Sequence, residues 1–255
     1  MLLRRVIAHL RKQEWTAISV DFLIVVVGVF VGLQVNNWNE ARVEGVRSRE
    51  YVSRIRAELV ADMTELKRNR SLWQKVANEG YAAVSYAETG ARSGATDWEI
   101  LRSFLNASHS FPLSFSDTTY SELRSAGELR LIADPDLRSG LADYYVLVAA
   151  RRGGLGPYQL LPEYREMVRG RMRSDIMRYY WRACYRQGVG VVTLVDCPPP
   201  EGATGIAEII RQLAADQDMM DALRYWADTQ RMAVELAGFD LSRAQSLIDR
   251  VDGKT

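Results

Sequence analysis

A chain of 255 residues is long enough for one sizeable core, and 33 Lys and Arg against 32 Asp and Glu leave a formal net charge of +1. That balance gives no overall footprint for nucleic acid, so none is expected as a partner. With two histidines and two cysteines in the chain, no metal site is expected, and no cofactor either.

Residues 1–14 form a short basic segment carrying Arg4, Arg5, Arg11 and Lys12. From Ile18 to Val35 nearly every residue is Val, Ile, Leu, Phe or Gly. The roughly 23 residues from Trp15 to Trp38 cover about 34 Å as a helix, the thickness of a hydrocarbon core with its interfaces. Residues 15–38 are therefore expected to be a transmembrane helix, with Trp15 and Trp38 as interface anchors and the cations before it favouring a cytoplasmic N-terminus. A cleaved signal peptide also has a basic start and an apolar centre, but this run is too long and no small-x-small site follows it. An uncleaved signal anchor is the expectation.

The span is not purely apolar. Counting about 100° per residue, Asp21, Gly28, Gly32 and Asn39 share one face. Gly28 and Gly32 form a G-x-x-x-G spacing, which lets two helices approach closely in lipid. That face is the expected homo-oligomer interface. Asp21, six residues in from Trp15, has two readings: a shallow acid that reaches water or an arginine, or an ion site in a ring of copies. Gln34, Asn36 and Asn37 lie with Trp38 at the opposite interface, where amides bond to headgroups, water or a neighbouring helix.

Beyond Trp38 the helix is expected to continue, because Val52, Ile55, Leu59, Met63, Leu66, Trp73 and Val76 keep three- and four-residue spacing. Thr96 and Glu99 have capping-box spacing for a second helix. The stretch from His109 reads as an irregular loop with a solvated histidine, after which Ser116 or Asp117 caps a third helix. Asp134 and Pro135 open a fourth, ending at Gly153 and Gly154. A fifth should run from Pro162 to Gln187, VGVVTLV from Val189 has strand-like composition, and CPPPEGATG is a loop. Two last helices span Ile206 to Ala215 and Asp218 to Val251, with a break near Gly238. The fold class is all-α, with residues 39–255 forming a periplasmic helical bundle around the base of the long helix.

Cys184 and Cys197 fall on the side expected to be oxidising, where a bond would close a loop of about 14 residues and contribute roughly 3 kcal/mol. The alternative is two buried thiols. Arg165, Arg169, Arg173, Arg178, Arg182 and Arg186, interleaved with aromatics, form a strip with two readings: an anion-binding surface, or arginines paired with acids of neighbouring helices.

The run DFLIVVVGVFVGLQVNNWNE resembles the N-terminal signature of a family of uncharacterised bacterial single-span inner-membrane proteins, an acid, an aliphatic run with glycine, then Q-x-N-N-W-N-E. Asp21, Gly28, Gln34, Asn36, Asn37, Trp38, Asn39 and Glu40 match it, with Asp21 standing where the family pattern has glutamate. TYSELRSAGELRLIADPDLRSGLADYY is similar to a later block. The resemblance implies topology, and no activity comes with it.

No phosphate-binding loop, dinucleotide fingerprint, H-E-x-x-H or G-x-S-x-G is present, so no catalytic residue is assigned and an enzyme is not expected. The expected function is a membrane-anchored scaffold or binding domain that meets the lipid bilayer, further copies of itself and an unknown periplasmic partner or ligand. Two alternatives stand beside it, a channel subunit with Asp21 lining the pathway and a periplasmic ligand sensor.

Overall fold

In a computed structural model that describes residues 15–152, 162–188 and 191–254, helix α1 runs unbroken through 75 residues, Trp15–Thr89. The expected basic segment and the glycine stop at Gly153 and Gly154 lie outside the described residues. At 1.5 Å per residue α1 is about 112 Å long. Its first part, Ile18 to Val35, is exposed throughout and is long and apolar enough to cross a membrane. Its second part is buried on one face: Ile55, Leu59, Met63, Leu66, Trp73 and Val76 enter the core, as the spacing required.

The remaining helices wrap this second part. They are α2 (Asp97–Ala107), α3 (Thr118–Ser125), α4 (Pro135–Arg152), α5 (Glu163–Gly170), α6 (Ser174–Ala183), α7 (Ile206–Ala215) and α8 (Gln217–Val251), with a single 3-10 turn at Leu129–Leu131. The fold is all-α. A two-stranded antiparallel ribbon, β1 (Tyr185–Gly188) with β2 (Val191–Leu194), is the one sheet among the described residues.

Helix α8 lies antiparallel along α1, tied at intervals by Glu88 to Arg224 (3.0 Å), Tyr81 to Asp228 (2.8 Å), Arg70 Nε to the Val234 carbonyl (3.2 Å) and Arg56 to Asp252 (2.6 Å). Gly80 makes the closest approach possible, since a methyl there would sit 2.8 Å from the Ala227 Cβ. Helix α8 passes Gly238 without the expected break, and a methyl added there would meet the Arg70 guanidinium only at an ordinary contact distance of 3.8 Å.

Local signals fixed most helix starts. Thr96 caps α2 in a full capping box with Glu99. Asp134 accepts from the backbone N–H of Asp136 and Leu137 at the start of α4. Asp117 occupies the cap position of α3 but bonds no backbone with its side chain there, and the Ser116 N–H is taken by buried Asp62 at 2.9 Å. The expected helix from Pro162 to Gln187 is two helices and a strand. It breaks after Gly170, where buried Met172 turns inward, and it stops at Cys184, whose bond to Cys197 (Cα–Cα 5.1 Å) pulls the chain into the ribbon.

The end of α2 is stitched to its surroundings by aromatic donors. Tyr164 Oη donates to the Phe104 carbonyl and Trp226 Nε1 to the Ala107 carbonyl, each at 2.9 Å. Those are carbonyls that a helix C-terminus leaves without an internal partner, so burial there costs nothing unpaired.

Candidate functional site

The exposed face of α1 holds the residues that the sequence marks as an expected interface. Because α1 is one continuous helix, Asp21, Gly28, Gly32 and Asn39 do share a stripe. A methyl added at Gly28 or Gly32 meets nothing within 4 Å, so the face is open to a neighbour. The stripe extends further than the sequence reading took it: Val35 at 60 % exposure, then Val43 and Val46 at 51 % each, fall within about 40° of Asp21. The series Gly28, Gly32, Val35, Asn39, Val43, Val46 repeats at three and four residues, the spacing of a seam between two helices. Trp15 and Trp38 stand exposed at the two ends, beside Gln34 and Asn37, and Asn36 spends its amide locally on Glu40 at 2.7 Å.

A second constellation lies in the domain core, around the loop histidine. His109 is 3 % exposed, not solvated. Its Nε2 lies 2.8 Å from the Tyr180 hydroxyl, and Tyr180 donates to Asn106 Oδ1 at 2.7 Å. Asn106 Nδ2 in turn donates to Glu79 Oε1 at 2.8 Å, while Ser103 donates to the other carboxylate oxygen at 2.6 Å. Since the Tyr180 proton points to Asn106, His109 Nε2 carries a hydrogen and Nδ1 offers its lone pair. Facing that lone pair is Arg169 Nη2 at 3.5 Å. The result is a relay with one direction of donation, from Arg169 through His109, Tyr180 and Asn106 to Glu79, crossing α5, α6, α2 and α1.

Burial, with Arg169 and Arg165 nearby, pushes the His109 pKa from the ordinary 6.5 down to about 3. Burial also raises the Tyr180 hydroxyl, and burial followed by Arg165 brings Arg169 down to about 10. His109 sits among rings, stacked on Phe111 and Tyr185 and edge-on to Trp181. Ser108 does not pair with it as a nucleophile would: its hydroxyl donates to the Leu105 carbonyl at 2.6 Å and accepts from Arg169 Nε at 2.9 Å. The relay holds a neutral imidazole in one tautomer between a guanidinium and a carboxylate.

The arginines of the strip differ in what engages them. Arg169 turns inward to Ser108 and lies 4.9 Å over the Trp181 ring, and Arg173 pairs with Asp175 at 2.6 Å. Arg165, Arg178, Arg182 and Arg186 make no ion pair among the described residues. Cys184 and Cys197 are bonded, and Trp98 Nε1 clamps the Cys197 carbonyl at 2.9 Å.

Sequence reasoning missed the relay. A signal was present, since His109, Phe111, Leu113 and Phe115 alternate with Ser110, Pro112, Ser114 and Ser116, and each of the first set is buried. That is the period of an extended segment with one face inward. No protein-family model, no curated protein and no solved structure matches this chain.

Proposed function

We propose that this chain is a non-enzymatic bacterial inner-membrane protein that self-associates through α1 and presents its helical domain in the periplasm as a scaffold or binding module. Residues 15–38 cross the bilayer with the N-terminus in the cytoplasm. The observation that carries the proposal is the uninterrupted exposed seam from Gly28 to Val46, which runs out of the apolar stretch without a break in the helix. Gly28, Gly32 and Val35 lie at the level of lipid, where packing drives association, and Val43 and Val46 lie beyond it, where water does. The Cys184–Cys197 bond agrees with an oxidising compartment on the domain's side.

Mass photometry of the full-length protein in nanodiscs tests this. Wild type should be a discrete oligomer, and Gly28→Leu with Gly32→Leu, or Val46→Glu, should shift it to the monomer. A wild-type monomer, or a mass indifferent to all three changes, removes the interface. A ring of five or more copies that depends on Asp21 would instead favour the channel.

A further inference from the structure

Among the described residues, α5, α6 and β1 carry Arg165, Arg169, Arg178, Arg182 and Arg186 without an ion pair. Arg165 and Arg169 are one helical turn apart on α5, close enough that the Arg165 charge helps to lower the Arg169 pKa. Neither forms an ion pair with a carboxylate among the described residues. Arg169 uses Nε and Nη2 on Ser108 and His109, and its Nη1 has no acceptor among the described residues. Trp181, 37 % exposed, lies under the Arg169 guanidinium. On α6 Arg178 lies one turn before Trp181 and on its side of the helix, and the Tyr185 ring of β1 packs edge-on to the indole. The chain from 153 to 161 and at 189–190 contains no Asp or Glu, so its sequence cannot supply the missing charge.

Like charges drawn together and partly desolvated beside an exposed indole cost free energy unless something offsets them. Guanidinium groups offer paired donors that match carboxylate and phosphate oxygens, and indole offers a flat apolar floor. We propose that Arg165, Arg169 and Arg178 around Trp181 form a binding site for an oxyanion, a phosphate or carboxylate carried on a soluble or polymeric ligand. The depressed Arg169 pKa accords with a guanidinium that lacks a counter-charge.

The source is not the headgroups of the chain's own membrane, a point that rests on the transmembrane reading of α1. The site is joined through Asn106 to Glu79 of α1, and the neighbouring Phe111 carbonyl accepts from Trp73. Trp73 is 35 residues beyond Trp38, which places this level about 50 Å from the end of the span.

Isothermal titration of the full-length protein in mild detergent tests the site, with inorganic pyrophosphate and citrate as the two probes. At least one should bind, and Arg165→Gln or Arg178→Gln should each weaken it about tenfold or more. Arg211→Gln, whose guanidinium is already engaged by Glu208 on α7, should leave the affinity unchanged. Arg178 is exposed, so its variant reports even where Arg165→Gln disturbs the fold. Absence of heat with both probes at millimolar concentration overturns the site, as does an equal affinity in Arg178→Gln and Arg211→Gln. The titration is independent of oligomeric state, so a monomer that binds either probe sinks the self-association proposal and leaves this one standing.

Discussion

Acid should weaken this domain through one residue. His109 is held neutral by burial first and then by Arg169 and Arg165, so the folded state takes up a proton there only near pH 3. In the unfolded chain the same imidazole titrates at its ordinary value near 6.5. Below that value the unfolded state therefore binds a proton that the folded state refuses, and stability falls as pH falls. For an unfolded pKa near 6.5 and a folded pKa well below 5, the two-state linkage relation gives a loss of about 1.9 kcal/mol between about pH 7 and pH 5. Between those limits the result is insensitive to the exact folded value.

The comparison that isolates this loss is His109→Gln. Glutamine places an amide nitrogen where Nε2 stood, keeps a donor for Tyr180 and does not titrate. Urea unfolding of the full-length protein in detergent, followed by tryptophan fluorescence at both pH values, yields four free energies. The two proteins differ in absolute stability at neutral pH for reasons of packing, and that difference cancels. What remains is the change with pH, expected to be larger in wild type by about 2 kcal/mol. Equal pH dependence in the two proteins would refute a neutral buried imidazole and with it the direction of the relay.

Two further outcomes follow from the packing. Gly80→Ala should destabilise by about 1 kcal/mol, because overpacking against the Ala227 Cβ at 2.8 Å outweighs the helix-propensity gain. Gly140→Ala should be neutral or stabilising, because its new methyl meets only the end of the Leu247 side chain, and a thermal-melt ranking in the reverse order would contradict both. The Cys184–Cys197 bond should leave no thiol to label in the denatured, unreduced protein, and reduction should lower stability by roughly 3 kcal/mol in chemical denaturation.

Legibility in the sequence tracked how local the cause was. The buried face of α1, the Thr96 box and the Asp134 start depend on residues within a turn or two, and the spacing disclosed them. The break at Gly170 to Arg173 and the ribbon do not. YRQG has little strand character beyond its tyrosine, and it is extended because VVTL, rich in β-branched residues, pairs with it antiparallel. The inward turn of Arg169 is equally non-local, since its acceptors on Ser108 and His109 are about 60 residues away in the chain. Charge counting along α5 and α6 saw a strip of arginines, and only tertiary contacts sort those that are engaged from those left open.

The same helix that carries the apolar stretch also decides which side of it stays free. At the base of the domain Glu44, Arg47, Ser48 and Tyr51 take the contacts, through Arg130, Glu128, the Leu131 carbonyl and Glu122. Measured round the helix from Asp21 at about 100° per residue, those positions lie roughly 80° to 180° away. Val43 and Val46 lie within about 40° of Asp21, so the domain grows from the far side of α1 and leaves the seam uncovered until the valines end. Beyond them the stripe passes to exposed Glu50 and Ser53, which provide no apolar surface to pair. A second copy docked along Gly28, Gly32, Val35, Asn39, Val43 and Val46 therefore meets helix before it meets domain. Under the proposed association in the bilayer, the distance between two domains is set without requiring them to touch, and the proposed anion sites stand about 50 Å further out at a shared height.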